Sequence, residues 1–553
     1  MTQSSSPAHH PPPLDGRVRA VGTLVLSLAT FMNVLDHSIA NVSLPAIAGD
    51  LGSSVHQGTR VITGFGIATA ISVPLTGWLA ARFGQVRLFV WSVLLFVLAS
   101  WLCGMAPSLE WLVAFRVLQG LVAGPMMPLS QTLLLGTHPP ENAGRALGIW
   151  SMTVLIAPVV GPLLGGWITD NVAWPWIFYI NVPIGLFCAA MTWAIYRDRD
   201  TPVRRMPVDV VGLVLLVIWV GALQYMLDTG KEEDWFDSTM IVTLALVSGI
   251  CFVAFVIWEL TDEHPIVDLR LFADRNFSCG VLALAGGFAL FSGNVVLLPL
   301  WLQQAMGYTA TWAGLVLAPV GVVGLLCSAL AGRGVDRGYA RSVGILSFVF
   351  FAWSFWLRAQ FNTHSDYLTI VLPMLLQGVA GSLFFISMSA ISLSQIPQAQ
   401  FPLAAGLSNF VRISAGAFGT SLATTAWDSR TQQHRAHLVE DASRAGWSLD
   451  DVFYEPLRAA GASLEQLRGI LERLIDQQAL TLGVNDIFLV SVFLYLLLIV
   501  PIALARPVRP RARPAAPAAR PPASAPGPGA AATPSESPST APPRPASGQG
   551  APA

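Results

Sequence analysis

Long apolar runs dominate the sequence and restrict the folds open to it. Only 11% of its 553 residues are charged, whereas soluble chains carry about 25%. A helix of about 20 apolar residues crosses the hydrocarbon core of a bilayer. The sequence therefore predicts an all-α polytopic membrane protein. Its fourteen candidate spans lie near residues 20–44, 57–80, 87–106, 110–133, 143–168, 174–196, 208–228, 239–260, 277–302, 309–331, 342–360, 367–393, 402–427 and 481–505.

Basic residues in the short loops indicate the orientation of these spans. Those on one side are Arg17, Arg19, Arg82, Arg87, Arg145, Arg197, Arg199, Arg204, Arg205, Arg270, Arg275, Arg333, Arg337, Arg341, Arg506 and Arg509. The opposite side offers little beyond Lys231 and the span-end residues Arg60 and Arg358. Because short cytoplasmic loops are enriched in Lys and Arg, both termini are expected to be cytoplasmic.

Several kinds of function are excluded by what the sequence lacks. A net charge of −1 gives no case for nucleic acid as a partner. The only lysine, Lys231, is followed by Glu232, so a phosphate-binding loop for ATP is absent. The five cysteines stand singly, without the spacing of a metal site, and we expect no metal and no cofactor.

The loop after the second span is echoed later in the chain. Residues 77–84, Gly-Trp-Leu-Ala-Ala-Arg-Phe-Gly, resemble residues 332–338, Gly-Arg-Gly-Val-Asp-Arg-Gly. The Leu-Gln-Gly at 118–120 in span four recurs at 376–378 in span twelve. Two homologous six-span bundles with spans seven and eight inserted between them explain this spacing, which is a 6 + 2 + 6 architecture.

This architecture divides the chain into five parts. We expect a cytoplasmic tail, a six-helix bundle, a two-helix linker, a second six-helix bundle and a disordered cytoplasmic tail rich in Pro and Ala, at residues 1–19, 20–200, 201–262, 263–505 and 506–553. The second bundle includes an external loop at 428–480, in which apolar residues between Leu464 and Ile475 recur at helical spacing. Asp228 and Glu259 end spans seven and eight and are expected to be solvated.

Asp36 lies within the first apolar run, in the stretch Leu-Asp-His-Ser-Ile-Ala-Asn at 35–41. Placing a carboxylate at the centre of a bilayer costs at least about 2.5–3.5 kcal/mol, so Asp36 should face protein or a water-filled cavity. One alternative is a residue near the span end that reaches the lipid headgroups. A titratable group on a transport path is the interpretation that we favour.

Several motifs resemble those of one known family, the fourteen-span drug:proton antiporters of the major facilitator superfamily (the EmrB/QacA family). The matching segments are the first-helix motif at 35–45, the fourth-helix motif at 116–125, the fifth-helix antiporter motif at 157–167 and the segment 174–185. The similarity runs from about residue 20 to residue 505. In the antiporter motif the matching residues are Pro158, Gly161, Pro162, Gly165 and Gly166, which also suit close helix packing and a bend.

The resemblance implies a major facilitator fold and export of hydrophobic or amphiphilic drugs across the bacterial inner membrane, driven by proton entry. It also implies two protein partners, a periplasmic membrane-fusion adaptor and an outer-membrane channel. The loops expected to gate the cytoplasmic side contain Gly77, Arg82, Gly84, Asp336 and Arg337. The family has an aspartate where this sequence has Ala81, so Arg82 and Arg87 are expected to rely on helix C-terminal carbonyls instead.

A comparison of depths in the bilayer predicts that two charged residues pair. Asp36 lies about 24 Å from the inner end of its span and Arg116 about 9 Å from the outer end, at 1.5 Å per residue. Across a core of about 30 Å these depths agree within a helical turn. We hypothesise that Asp36 is the proton-responsive acid and that Arg116 controls how readily it takes up a proton. The alternative for Arg116 is an arginine that reaches the outer headgroups.

Other polar residues of the spans are candidates for a substrate cavity: Asn33, His37, Asn41, Gln119, Gln377, Asn409 and Arg412. His37 and Asn41 could hydrogen-bond around the acid. Arg412 lies near the bilayer midplane with Asn409 three residues earlier on the same helix face. It could pair across the cavity or attract an anionic group of the substrate.

Other functions remain open at the level of sequence. The motifs do not separate a multidrug exporter from a dedicated exporter of one endogenous metabolite, such as a siderophore or an antibiotic. A polytopic membrane enzyme is less favoured, because the first external loop offers only Asp50 and His56 as catalytic groups. A non-transporting receptor would explain the C-terminal tail no better than a disordered extension does.

Overall fold

The computed structural model describes residues 14–53, 55–139, 143–203, 207, 209–263, 265–397, 400–444 and 463–507. These residues form helices and short connections, without a β-strand among them. The α-helices are α1 Gly16–Asp50, α2 Val55–Gly58, α3 Arg60–Ser72, α4 Thr76–Phe83, α5 Gln85–Gly104, α6 Leu109–Ala123, α7 Met126–Thr137, α8 Ala143–Asn171, α9 Trp176–Tyr179, α10 Asn181–Tyr196, α11 Val210–Thr229, α12 Thr239–Thr261, α13 Arg275–Gln304, α14 Ala310–Asp336, α15 Ala340–Arg358, α16 Tyr367–Ser392, α17 Phe401–Arg444, α18 Leu464–Leu497 and α19 Ile499–Leu504. Short 3₁₀ helices lie at Arg197–Arg199, Trp235–Asp237 and Leu269–Ala273.

Most of the expected spans are long apolar helices. Eleven helices of the described chain are long and apolar enough to cross a membrane, and thirteen are if each of two bent pairs counts as one span. The expected span at 402–427 is not among them. It lies within α17, where Asn409 and Arg412 interrupt the apolar sequence.

Proline accounts for the breaks in the bent spans. The helices α3 and α4 meet at 62° around Pro74. The two halves of α8, Gly144–Pro158 and Leu163–Asn171, meet at 47° across the segment that contains Gly161. Proline lacks the backbone N–H and clashes with the preceding turn, which bends a helix.

Helix contacts fall within two groups and at a limited number of places between them. In the first group α1 packs on α8 and α10, α3 on α6, and α5 on α6 and α10. In the second group α13 packs on α17, α16 on α14 and α15, and α18 on α15 and α17. The pairs α8–α14, α8–α16, α7–α17 and α4–α17 connect the groups. The helices α11 and α12 pack on each other, and α11 also contacts α3 and α17.

Contacts between the groups include glycines at one end of the molecule, where α1 and α8 begin and α14 ends. We call it the basic end, because Arg19, Arg145 and Arg333 lie there. A Cβ added at Gly77 would lie 2.6 Å from the Leu403 side chain. Small residues let two helix backbones approach closely, so the groups are in tight contact here.

The glycines of the antiporter motif pack α8 against α1. A Cβ at Gly161 would lie 2.5 Å from Oγ of Ser38, and one at Gly165 would lie 2.8 Å from the carbonyl oxygen of Ile39. Ser38 also donates a hydrogen bond to the carbonyl of Pro158 at 3.2 Å. Pro158, Gly161 and Gly165 of the motif therefore contact Ser38 and Ile39, which lie two and three residues after Asp36.

The segment expected as an external loop is largely helical where it is described. The helix α17 continues to Arg444, and α18 is one helix from Leu464 to Leu497, within the last expected span. Ser463 begins α18 with a capping box. Arg435 and Asp476 connect the two helices by an ion pair of 2.6 Å. The expected amphipathic helix is thus the first part of α18. Residues 445–462 of this loop lie outside the described residues, as do residues 1–13 and 508–553 of the two expected tails.

Candidate functional site

Asp36 lies in a polar cluster formed by four helices. Its Oδ2 accepts a hydrogen bond from Nη1 of Arg116 at 2.5 Å. Its Oδ1 accepts from the amides of Gln119 at 3.0 Å and Asn181 at 2.7 Å. Ser100 Oγ accepts from the same two amides, at 2.6 Å and 3.0 Å. Both charged side chains are 0% exposed, so the cluster is sealed from the surroundings.

The pairing of Asp36 with Arg116 is confirmed. Full burial rules out the two alternatives in which these side chains reach the headgroups. Arg116 and Gln119 are three residues apart on α6, which places both on one helix face. Arg116 also lies against aromatic rings, 4.1 Å from the Phe65 centroid and 5.6 Å from that of Phe178.

Two members of the cluster were not identified from the sequence as site residues. Asn181 belongs to the matched segment 174–185, so the resemblance carried a signal for it. Ser100 lies in an ordinary apolar span and carried none. Conversely, Gln119, which was expected in the substrate cavity, belongs to the sealed cluster.

The remaining candidates on α1 lie on another face. Asn33 is buried and donates to the carbonyl of Ala123 at 3.1 Å. His37 and Asn41, one and two turns further along, are exposed, and the His37 ring lies 5.6 Å from that of Phe65. Neither is among the hydrogen-bond partners found for Asp36. The exposure of this face of α1 therefore increases from Asn33 to His37 and Asn41, with distance from the basic end.

Arg412 lies where α17 meets α7, and it is 5% exposed. Its guanidinium donates to Oδ1 of Asn409 at 3.2 Å and contacts the sulfur of Met127 at 2.9 Å. Asn409 in turn donates to Gln131 at 3.3 Å. The Phe288 ring lies 4.4 Å from its Cζ. Its partners across the helix contact are neutral, and within the described chain no carboxylate lies within 4 Å of it.

Gln377 accepts a hydrogen bond from Arg358 rather than facing a cavity. Arg358 is the last residue of α15, as expected for a span-end arginine, and it is 1% exposed. It lies 4.6 Å from the Phe355 ring centroid and 5.9 Å from that of Phe488. The repeat of Leu-Gln-Gly at 118–120 and 376–378 was the sequence signal for this contact, because the glutamine accepts a hydrogen bond from a buried arginine in both places.

The gating loops of the two halves differ. The carboxylate of Asp336 accepts from the backbone N–H of Gly144 at 2.7 Å, and so connects the end of α14 with the start of α8. An acid at a helix N-terminus is favourable because it satisfies free N–H groups and the helix dipole. Ala81, in the equivalent loop, has no group that could do this.

A different aspartate holds the first gating loop. Asp200 accepts from the backbone N–H of Val86 at 2.9 Å, and its carboxylate lies 3.5 Å from Nε of Arg87. The expectation that Arg87 relies on helix carbonyls is therefore wrong. Gly84 has φ of +87°, and a Cβ there would lie 2.6 Å from Asp200. The Arg82 guanidinium lies over the Trp78 ring, at 5.4 Å.

Two further expectations concern acids and metals. Glu259 is 0% exposed and accepts from the backbone N–H of Val267 at 3.1 Å, so its expected solvation is wrong. Asp228 is exposed. Groups of three or more His, Cys, Asp or Glu residues that could hold a metal ion do not occur within the described ranges.

Comparison with known proteins identifies the class of protein. Residues 26–420 match the Major Facilitator Superfamily. The chain belongs to this superfamily, and it is a multi-pass membrane transporter. It is similar over 86% of its length to the human organic anion transporter MFSD10 (TETRAN), with a TM-score of 0.56 and 13% identity, over 99% of that chain. At this identity the likeness concerns the fold alone.

Three relatives are considerably more similar. The multidrug export protein EmrB of Haemophilus influenzae is 49% identical over 497 residues, which are 90% of this chain and 97% of that protein. EmrB of Escherichia coli K12 is 47% identical over 496 residues, 90% and 97% of the two chains. The fatty acid resistance protein FarB of Neisseria gonorrhoeae is 46% identical over 496 residues, 90% and 98% of the two chains.

The ion pair can be tested through stability. Arg116→Gln leaves the Asp36 charge buried without a counter-charge, which costs about 3–5 kcal/mol. We expect a large fall in the temperature at which the purified protein loses its monodisperse peak on size-exclusion chromatography. The double variant Asp36→Asn/Arg116→Gln should fall less, because it buries neither charge. Arg60→Gln, at an exposed arginine, is the matched control. A double variant as unstable as Arg116→Gln alone would contradict this account.

Proposed function

We propose that the protein exports hydrophobic or amphiphilic drugs across the bacterial inner membrane in exchange for protons, by alternating access between its two helix groups. The observation that carries the proposal is the sealed Asp36–Arg116 pair. Among the described residues only Asp36 and Glu259 are acidic and buried. Glu259 lies two residues before the end of α12, so Asp36 is the better placed acid for coupling.

The hydrogen bonds around Asp36 suggest how proton uptake moves helices. Each of its partners, Arg116, Gln119 and Asn181, donates to the carboxylate. Uptake of a proton removes the negative charge to which these groups donate, and hydrogen bonds to a neutral acid are weaker than those to a carboxylate. Proton uptake therefore loosens the contacts of α1 with α6 and α10. Protonation also neutralises Asp36, so the buried guanidinium of Arg116 loses its counter-charge.

The contacts of α8 provide a route from this site to the connection between the groups. Its glycines Gly161 and Gly165 pack against Ser38 and Ile39, which lie two and three residues after Asp36 on α1. Its first turn holds Asp336 of the other group through Gly144. A shift of α1 relative to α8 would thus act on the contact that closes the basic end, which in the proposed orientation is the cytoplasmic side. His37 and Asn41, exposed beyond that contact, would line the outward-facing path.

Arg412 supports a substrate with an anionic group. A buried guanidinium is costly unless it is paired, and its present partners are neutral. A weakly acidic amphiphile would supply the missing charge and place its apolar part against Phe288 and Met127. The relative FarB is named for fatty acid resistance, which concerns substrates of this kind.

The two-helix extension of α17 and α18 supports the proposal of an adaptor. The ion pair Arg435–Asp476 and a hydrogen bond between His434 and Asp486 hold the helices together. Leu474, in the part of α18 that the sequence predicts to be external, is 44% exposed. We propose that this surface docks the periplasmic adaptor, which in turn contacts the outer-membrane channel. With the span at 402–427, the chain would have fourteen spans and both termini in the cytoplasm.

Proton coupling is tested in proteoliposomes with a pH-sensitive dye. Addition of an amphiphilic drug should produce proton flux with wild type and with Asp50→Asn, a control at an exposed aspartate of the same helix. Asp36→Asn should abolish the flux, because it cannot titrate, and Asp36→Glu should retain part of it. Only variants with a monodisperse elution profile are compared.

Other outcomes of this experiment are equally informative. Full drug-dependent flux in Asp36→Asn would place the coupling acid elsewhere. No drug-dependent flux in any of the proteins would favour the alternative function, the export of one endogenous metabolite.

The role of Arg412 is tested by comparing anionic and cationic drugs. Arg412→Ala should lower transport of anionic amphiphiles by about tenfold or more, since a charge-assisted hydrogen bond contributes about 1.5–3 kcal/mol. Transport of cationic amphiphiles should be retained, and Arg412→Lys should retain part of the anion transport. An equal loss of both drug classes in Arg412→Ala would count against an anion-binding role.

The docking surface is tested by deletion of residues 460–476. The shortened protein should still assemble in the membrane, because the deleted segment precedes the last span. It should no longer copurify with a co-expressed, tagged periplasmic adaptor. The point variant Leu474→Asp should weaken copurification. The control Arg468→Ala, at an exposed polar position of the same helix, should not. Unchanged copurification of the deletion variant would refute docking at this surface.

A further inference from the structure

A cleft at the basic end lies between the start of α1 and the start of α8, and the transport proposal makes no use of it. It has a volume of about 410 Å³. Its lining consists of Gly16, Arg19, Ala20, Thr23, Leu24, His138, Arg145, Ala146 and Ile149. The small residues among these leave the space, and the larger ones divide it into a basic part and an apolar part.

The basic part is formed by Arg19 and Arg145. Arg19 and Arg145 each lie on the first turn of their helix. Over the part of the chain that is described, neither forms an ion pair within 4 Å. The carboxylate of Asp336 lies near Arg145 and offsets part of its charge, but it accepts its hydrogen bonds from the backbone at the start of α8 and forms no ion pair with the guanidinium. Two guanidinium groups on separate helices and facing one cleft are suited to a phosphate.

The third basic residue of the cleft does not supply charge. Nδ1 of His138 is bonded to the carbonyl of Leu134 at 2.9 Å, and Nε2 lies 3.2 Å from the hydroxyl of Thr23. Burial and the positive charge of Arg19 lower the pKa of His138, so its ring is neutral at pH 7. The two arginines are therefore the anchors for an anion.

The apolar part continues from the cleft along the outer surface of the helices. Leu24 lies five residues beyond Arg19 and is 62% exposed, and Ile149 lies four residues beyond Arg145 and is 49% exposed. One helical turn is about 5.4 Å, so each helix presents an arginine and then, roughly a turn deeper, an exposed apolar side chain. Leu24 is within a membrane-crossing helix, where exposed surface faces lipid.

We propose that this cleft binds an anionic glycerophospholipid of the bilayer. The phosphate lies between Arg19 and Arg145, and an acyl chain lies over Leu24 and Ile149. Both features are needed for this assignment. Basic residues alone would fit any soluble phosphate, but the apolar wall runs from the headgroup level into the hydrocarbon, as an acyl chain does. Basic pockets between membrane helices are recurrent sites for lipid headgroups.

The site has a bearing on the closed contact of the two helix groups. Arg145 directly follows Gly144, which binds Asp336. A lipid phosphate held by Arg145 and Arg19 joins the start of α8 to the start of α1, and so keeps the first turn of α8 in place for Asp336. The lipid is therefore a structural ligand of the basic end, independent of which drug is transported.

Native mass spectrometry of the full-length protein in detergent tests the proposal. The probes are a dioleoyl phosphatidylglycerol and, as zwitterionic control, the corresponding phosphatidylcholine. Wild type should retain phosphatidylglycerol in preference. Arg19→Gln and Arg145→Gln should each weaken this binding about fivefold, since one basic residue near an anionic lipid contributes about that factor. Arg17→Gln, an equal loss of charge on the same helix but outside the cleft, should leave binding unchanged.

Two competitors and one apolar variant distinguish the source of the phosphate. Inorganic phosphate and glycerol phosphate, both without acyl chains, should fail to displace the lipid. Ile149→Ser should weaken phosphatidylglycerol binding while the arginines remain. Displacement by inorganic phosphate at equal concentration would overturn the proposal in favour of a soluble anion. An equal effect of Arg17→Gln would overturn it in favour of unspecific attraction to a basic surface. Variants are compared only where their size-exclusion elution profile matches that of wild type, which shows that they are folded.

Discussion

The buried pair of Asp36 and Arg116 is the constraint to which much of the first helix group is fitted. Charges in a low-dielectric interior must be paired and hydrogen-bonded, or the structure becomes unstable. The donors and acceptors of this cluster come from α1, α5, α6 and α10. A rotation of any one of these helices would break hydrogen bonds between buried polar groups. The cluster therefore defines the register of four helices that apolar packing alone would leave free to slide.

The two halves use the same glutamine for different purposes. Gln119 and Gln377 both accept from a buried arginine, but only the first half adds a carboxylate. In the second half the guanidinium comes from α15, and the Phe355 and Phe488 rings surround it. A cation–π contact cannot take up a proton, whereas a carboxylate can. The first helix group thus buries an arginine beside a titratable carboxylate, and the second buries one beside aromatic rings.

Much of this structure was predictable, and the failures have identifiable causes. Long apolar runs determine the spans locally, so most of these were found, and the antiporter motif indicated the bend in α8, whereas the bend at Pro74 was not predicted. A depth comparison sufficed for the Asp36–Arg116 pair. The burial of Arg358 at the end of its span could not be read from the sequence, because Phe488 of α18, far along the chain, covers it. The contact of Asp200 with α5 joins residues 114 positions apart, beyond the reach of any local pattern. Gln119 was assigned to the cavity because helical spacing gives a face but not the neighbour of that face.

The length of α17 has a mechanical consequence. It is a single helix of 44 residues, about 66 Å at 1.5 Å per residue, and it starts beside α4 at the basic end. One stiff rod thus extends from the contact between the two helix groups to the ion pairs with α18 beyond the apolar spans. Rods of this kind turn small angles at one end into large displacements at the other. A tilt of the second helix group consequently displaces the Arg444 end of α17 more than its Phe401 end, and an adaptor docked on this part of α17 and α18, as proposed above, would be moved with it.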